Sequence, residues 1–174
     1  LFQEQGSAQY GNEAVNQLEH ALQCAYLAER AEETPETILA SLLHDFGHLI
    51  AAQKDGHIEH DTNKDDLHQY LALPVLRGIF PDPVLQPIKL HVDAKRYLCA
   101  VDSTYWSSLS IASKNSLEQQ GGVFNESEVA AFLEQPFADV AVRLRRYDDL
   151  AKDTNFKAPD LEYFEHYLYS ISKP

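Results

Sequence analysis

Apolar residues recur at three- and four-residue spacings along most of the chain, and alternating runs of β-branched residues are few, which predicts an all-α protein. Between Glu13 and Ala31, the residues Leu18, Ala21, Leu22, Ala25 and Ala28 fall on one face of a helix. Thr34 ahead of Pro35 marks a second start, because a hydroxyl can accept a first-turn N–H and proline needs no donor there. Ile38, Leu39, Leu42 and Leu43 carry that helix to Gly47. The polar, irregular stretch Gln53 to Lys64 is expected to be a mobile loop. Helical spacing resumes over about Asp65 to Phe80, after Pro83 through Cys99, and around Trp106 to Gln119, where Gly121 and Gly122 end it. Asn125 with Glu128 predicts a capping box for the next helix. Two more follow, about Phe137 to Lys152 and after Pro159, where Leu161, Phe164, Tyr167 and Leu168 share a face.

Length and composition narrow this to one helical domain. A single core stops growing only near ~250 to 300 residues, and the chain has 174, with no repeat or linker. With 44% hydrophobic and 24% charged residues it has enough apolar surface to fold, alone or as a small homo-oligomer. A net charge of -13 repels a phosphate backbone, so nucleic acid is not an expected partner, although a small anion can still bind a local cationic pocket. No apolar run is long enough to span a bilayer and no leader pattern opens the chain, so the expectation is no membrane association and a cytoplasmic location. Cys24 and Cys99 sit in apolar helical patterns and read as buried thiols rather than a disulfide.

The chemistry starts at Leu42-Leu43-His44-Asp45-Phe46-Gly47-His48, where a polar pair follows apolar residues on a helix whose other face must be core. Burying an ionised Asp without a partner costs several kcal/mol, so a metal ion is a natural partner. His20, in the preceding helix, can join the pair on one cation.

One His, then His-Asp, then a distant Asp resembles the HD-domain superfamily, which binds metal on a helical bundle. The resemblance implies His20, His44, Asp45 and Asp148 as ligands, with Asp149 the competing choice for the last. His68 and His91 permit a second metal, with His60 in the polar loop as the fallback for His68. His57 reads as a solvated loop residue and His166 as structural. Four imidazoles and two carboxylates suit iron, and Mn, Co or Zn would also bind such a set.

Longer stretches narrow the resemblance. These are Tyr10 to Tyr26, Leu42 to His48, His91-Val92-Asp93-Ala94-Lys95-Arg96-Tyr97-Leu98, and Ser113 through Gln119-Gln120-Gly121-Gly122. They are similar to the mixed-valence di-iron oxygenases that cleave the carbon–phosphorus bond of 1-hydroxyphosphonates, in particular those acting on the 2-amino-1-hydroxyethyl and trimethylammonio compounds to form glycine or glycine betaine; the resemblance leaves open a primary amine, a trimethylammonium or no such group, as in hydroxymethylphosphonate. That resemblance implies an Fe(II)/Fe(III) pair and O2 as co-substrate. It implies Asp45 as a bridge between the irons, and Tyr10 at an iron until substrate arrives. It further implies Glu13 as receiver of a cationic amine, and His48, Lys95, Ser113, Gln120 and Arg145 around the phosphonate. Lys and Arg supply the charge-assisted donors a dianion needs, and a carboxylate or an aromatic face such as Tyr105 or Trp106 suits a cationic nitrogen. A phosphohydrolase acting on phosphate esters or nucleotides, and a non-catalytic HD ligand-binding module, are the alternatives on the same fold.

Overall fold

The computed structural model describes residues 1–2, 6–7, 10, 13–55 and 67–173, so His57, His60 and most of the expected polar loop lie outside the described residues. The described residues are helical, with no strand among them, as the apolar spacing predicted.

Helix α1 spans Gln17–Arg30 and begins later than the apolar spacing alone implied. Asn16 fixes the start: its side chain accepts from Glu19 N at 2.8 Å, and the Glu19 carboxylate accepts from Asn16 N at 3.0 Å. Residues ahead of that box fold back instead, with Tyr10 N donating to Val15 O and Glu13 N donating to Tyr10 O. Glu13 therefore stands on a turn and not on a helix.

Helix α2, Pro35–Leu43, opens at Thr34, whose hydroxyl accepts from Thr37 N. The predicted continuation to Gly47 does not form as one helix, because α3, Phe46–Asp55, starts anew beyond His44 and Asp45. Two bonds account for the break. His44 Nδ1 donates to Ser41 O at 2.9 Å, competing for a carbonyl of the helical ladder, and His48 N donates to Asp45 O, a tighter i to i+3 closure. Gln53 belongs to α3 and not to a loop.

Two single turns, α4 (His68–Leu71) and α5 (Leu73–Leu76), lead to α6, Asp82–Val101, the longest element. The expected helix around Trp106 to Gln119 is divided into α7, Tyr105–Ser108, and α8, Ile111–Gln119. Ser110 caps α8 by accepting from Ser113 N at 3.1 Å, which breaks the run just before it. Gly121 and Gly122 end α8 with φ of 97° and 72°, a region that glycine enters without a Cβ penalty. The Asn125–Glu128 box opens α9, Glu126–Leu133, and α10 (Ala138–Leu150) and α11 (Leu161–Ile171) complete the order.

Helices α1, α2, α6 and α10 pack on one another, and α11 lies against α2. Leu22, Ile38, Leu39, Leu42, Ile88, Leu144 and Phe164 form the main core between them. Each such side chain contributes about 1.5 to 3 kcal/mol by leaving water. Cys24 and Cys99 are free thiols. Among the described residues no helix is long and apolar enough to cross a membrane.

Gly47 ties α4 to this bundle. A Cβ there would lie 1.9 Å from the carbonyl oxygen of His68 and 2.6 Å from its carbonyl carbon, both backbone atoms that cannot rotate away. Gly47→Ala is expected to force α4 outward and lower the melting temperature by roughly 5 °C, from an overpacking cost of about 1 to 3 kcal/mol. An unchanged thermal melt would show that α4 is not held at this contact.

Candidate metal centre

Five elements deliver side chains to one buried point. His20 comes from mid-α1, His44 and Asp45 from the α2–α3 junction, His68 from the start of α4, His91 from mid-α6 and Asp148 from the last turn of α10. All six are buried. The α2–α3 break matters here, because it turns Asp45 toward the histidines rather than along a continuing helix.

Asp45 stands between two groups of donors. Its Oδ2 lies 3.3 Å from His44 Nε2 and 3.7 Å from His20 Nε2, while its Oδ1 lies 3.2 Å from His68 Nε2 and 3.5 Å from His91 Nε2. Asp148 closes the first group, 3.4 Å from His20 Nε2 and 3.7 Å from His44 Nε2. Asp149 faces the other way, toward Arg145 and Tyr105.

Hydrogen bonds on the far side of the rings decide what these nitrogens present. His20 Nδ1 donates to Ala151 O at 2.8 Å, His44 Nδ1 to Ser41 O at 2.9 Å and His91 Nδ1 to Ile88 O at 2.7 Å. A backbone carbonyl only accepts, so each Nδ1 carries the proton, and each Nε2 of a neutral ring carries a lone pair. The Nε2 atoms of His20 and His44 are nevertheless 3.3 Å apart. Two lone pairs at that distance repel unless a cation lies between them. Asp45 Oδ2 and Asp148 Oδ1 are also buried without a hydrogen-bond partner. The donor set fits a metal cofactor, and the carbonyl bonds are the outer-shell contacts that orient metal-binding histidines.

The electrostatics agree. Burial pulls the His44 pKa down, but Asp45 and Asp148 outweigh it and the pKa is raised. Burial would raise both carboxylates, yet His44, His68 and His91 hold Asp45 well below the usual range, and Arg145 with His20 and His44 does the same for Asp148. Burial pushes His91 down to about 4, leaving a neutral imidazole at ordinary pH.

The other expected residues surround this cluster. The Tyr10 ring stacks on His20 with centroids 3.9 Å apart, and burial with the nearby Asp148 and Asp45 holds its phenol proton well above the ordinary pKa. His48 stacks on His68 at 4.0 Å. Lys95 is buried and donates to Ser116 Oγ at 2.7 Å, while Ser113 is buried and the Gln120 side-chain oxygen has no partner. Arg145 pairs with Asp148 at 2.7 Å and also with Asp149. Glu13 lies 2.9 Å from Lys152 Nζ and accepts from Ser110 Oγ at 2.5 Å.

Lys152, Ser110 and Ser116 were not singled out from the sequence, and Cys24 was read only as a buried thiol. Cys24 lies one turn beyond His20, with its sulfur 3.6 Å from His20 Nε2. Only that four-residue spacing could have pointed to it. Tyr105 and Trp106 do not form a cage together: Tyr105 is buried and donates to Asp149, whereas Trp106 is exposed under the ammonium of Lys114.

No protein-family model matches the chain. Over 164 residues the chain is 44% identical to hydroxymethylphosphonate dioxygenase of Gimesia maris, a match covering 94% of this chain and 81% of that protein. Over 164 residues it is 35% identical to the glycine-betaine-forming 1-hydroxy-2-(trimethylamino)ethyl phosphonate dioxygenase of Leisingera caerulea, covering 94% and 83%.

Stripping metal with a chelator is expected to lower the melting temperature by several degrees, because bound metal stabilises only the folded chain. Returning Fe(II) anaerobically should restore the original melt. A melt insensitive to both chelator and Fe(II) would sink the metal reading of this cluster.

Proposed function

The chain belongs to the phosphonate dioxygenase family, and from that membership we propose that it uses two iron ions and O2 to split the carbon–phosphorus bond of a 1-hydroxyphosphonate. It is an oxidoreductase. The observation that carries the di-iron reading is the position of Asp45, with one carboxylate oxygen turned to each group of histidines. On this reading His20, His44, Asp148 and Asp45 Oδ2 hold one iron, and His68, His91 and Asp45 Oδ1 hold the other.

Atom balance defines the products. One O2 and one 1-hydroxyphosphonate give one carboxylate and one phosphate: formate from the hydroxymethyl compound, glycine from the 2-amino-1-hydroxyethyl compound, glycine betaine from its trimethyl form. When bound, the irons supply Lewis acidity toward the substrate oxygens and the redox equivalents that O2 requires.

The protein's own groups bind and orient the substrate. Lys95 is the main anion partner, because its ammonium meets only a neutral hydroxyl, whereas the Arg145 charge is already shared by Asp148 and Asp149. Ser113, Gln120 and His48 complete the phosphonate pocket with further side-chain donors, and exclusion of water strengthens each contact. Tyr10, stacked on His20, would cover that side of the centre and would have to give way to a substrate there.

The deciding experiment follows O2 uptake and phosphate release by anaerobically iron-loaded protein given hydroxyphosphonates. One O2 per phosphate is expected. Phosphate released from esters without O2, and none from hydroxyphosphonates, would replace the oxygenase with a hydrolase.

Lys95 adds a pH dependence. Burial first, then the neighbouring Arg145, push its pKa down to about 7. The charged form that a phosphonate needs is therefore present below neutrality and is lost as the pH rises through it. Apparent KM is expected to climb above pH 7, and Lys95→Gln should remove that limb and lower kcat/KM by roughly 10- to 100-fold, the value of a charge-assisted hydrogen bond. A KM flat to pH 9 in the unmodified protein would place the anion elsewhere.

A further inference from the structure

An internal ammonium occupies the carboxylate expected to receive the substrate's amine. Lys152 follows the end of α10, its side chain only 13% exposed and that of Glu13 14%. Its Nζ donates to Glu13 Oε1 at 2.9 Å, Ser113 Oγ at 2.9 Å and Ser110 Oγ at 3.5 Å. An ammonium has three N–H donors, so this set accounts for all of them. Ser110 donates in turn to the same Glu13 oxygen at 2.5 Å. Ser113 also sits among the phosphonate-binding candidates, so Lys152 fills the space between the anion pocket and Glu13.

We propose that Lys152 determines specificity: its ammonium neutralises Glu13 from within, and the site takes 1-hydroxyphosphonates that carry no cation on the second carbon, of which hydroxymethylphosphonate is the smallest. This rests on the hydroxyphosphonate reading of the centre. A substrate ammonium arriving at Glu13 would meet a like charge at contact distance in a half-buried site, which is strongly unfavourable. The earlier expectation that Glu13 receives a cationic amine changes accordingly. The missing aromatic cage points the same way, because a trimethylammonium has no N–H to donate and depends on ring faces.

The test compares three compounds on iron-loaded protein: hydroxymethylphosphonate, 2-amino-1-hydroxyethylphosphonate, and 1-hydroxypropylphosphonate, the neutral isostere of the second. Binding is read by anaerobic calorimetry and turnover by phosphate release. The isostere is expected to bind on the order of 100-fold more tightly than the amine, a charge effect free of size. Lys152→Met, which keeps the stem and removes the charge, should raise the amine-to-isostere ratio at least ~10-fold, and Lys152→Arg should preserve the original preference.

Equal binding of amine and isostere by the unmodified protein would overturn the inference. So would a Lys152→Met variant that loses all three compounds alike, which would make Lys152 a phosphonate contact. Preference for the isostere without any turnover would uphold the inference and remove the oxygenase reading, while no binding of any compound would remove both.

Discussion

Four imidazoles and two carboxylates are pressed into one dry space, with ring Nε2 atoms 3.0 to 3.3 Å from one another and from carboxylate oxygens. Bare, this is an unfavourable arrangement, and the rest of the bundle is built to maintain it. Three of the rings are aimed by backbone carbonyls, so rotating a ring away would strand an N–H in the interior. The α2–α3 break, the close approach of Gly47 to His68 and the packing of α10 on α1 and α6 all serve the same convergence. Such a cluster is stable when a cation converts the repulsion into coordination.

Charge is distributed in shells around that point. The chain as a whole carries -13, yet Lys95, Arg145 and Lys152 are gathered beside the candidate metal ligands. They differ in what is left for a ligand. Arg145 is held by two aspartates and mainly fixes Asp148. Lys152 is balanced by Glu13. Lys95 differs from both in that it donates to a hydroxyl and pairs with no carboxylate among the described residues, so a net anion gains most by approaching it. On the proposed reading, a dianion would be drawn by one incompletely compensated ammonium, and a second charge on the ligand would be met by another already compensated.

The sequence carried the helical class, because apolar spacing survives as buried faces on α1, α2, α6, α10 and α11. It also held the candidate ligands, since a His-Asp pair among apolar residues has few other uses. Boundaries were less legible where side chains intervened. Asn16 and Ser110 start helices inside apolar runs, and the His44 ring competes with the backbone of its own helix. Asp148 and Asp149 are adjacent and chemically identical, so only the rotation of α10 separates the one facing the histidines from the one facing Tyr105. Lys152 had no signature at all: a lysine after a helix end usually extends into water, and its pairing with Glu13 spans 139 positions.

That long reach has a consequence for biosynthesis. His20 is oriented by the carbonyl of Ala151, 131 positions away, and shares its donor group with Asp148. A nascent chain emerging from the ribosome exposes His20, His44 and Asp45 long before either partner exists, as three donors without a rigid frame. On the proposed reading a complete donor set would exist only once α10 has docked, and a bound ion would tie α1 to α10.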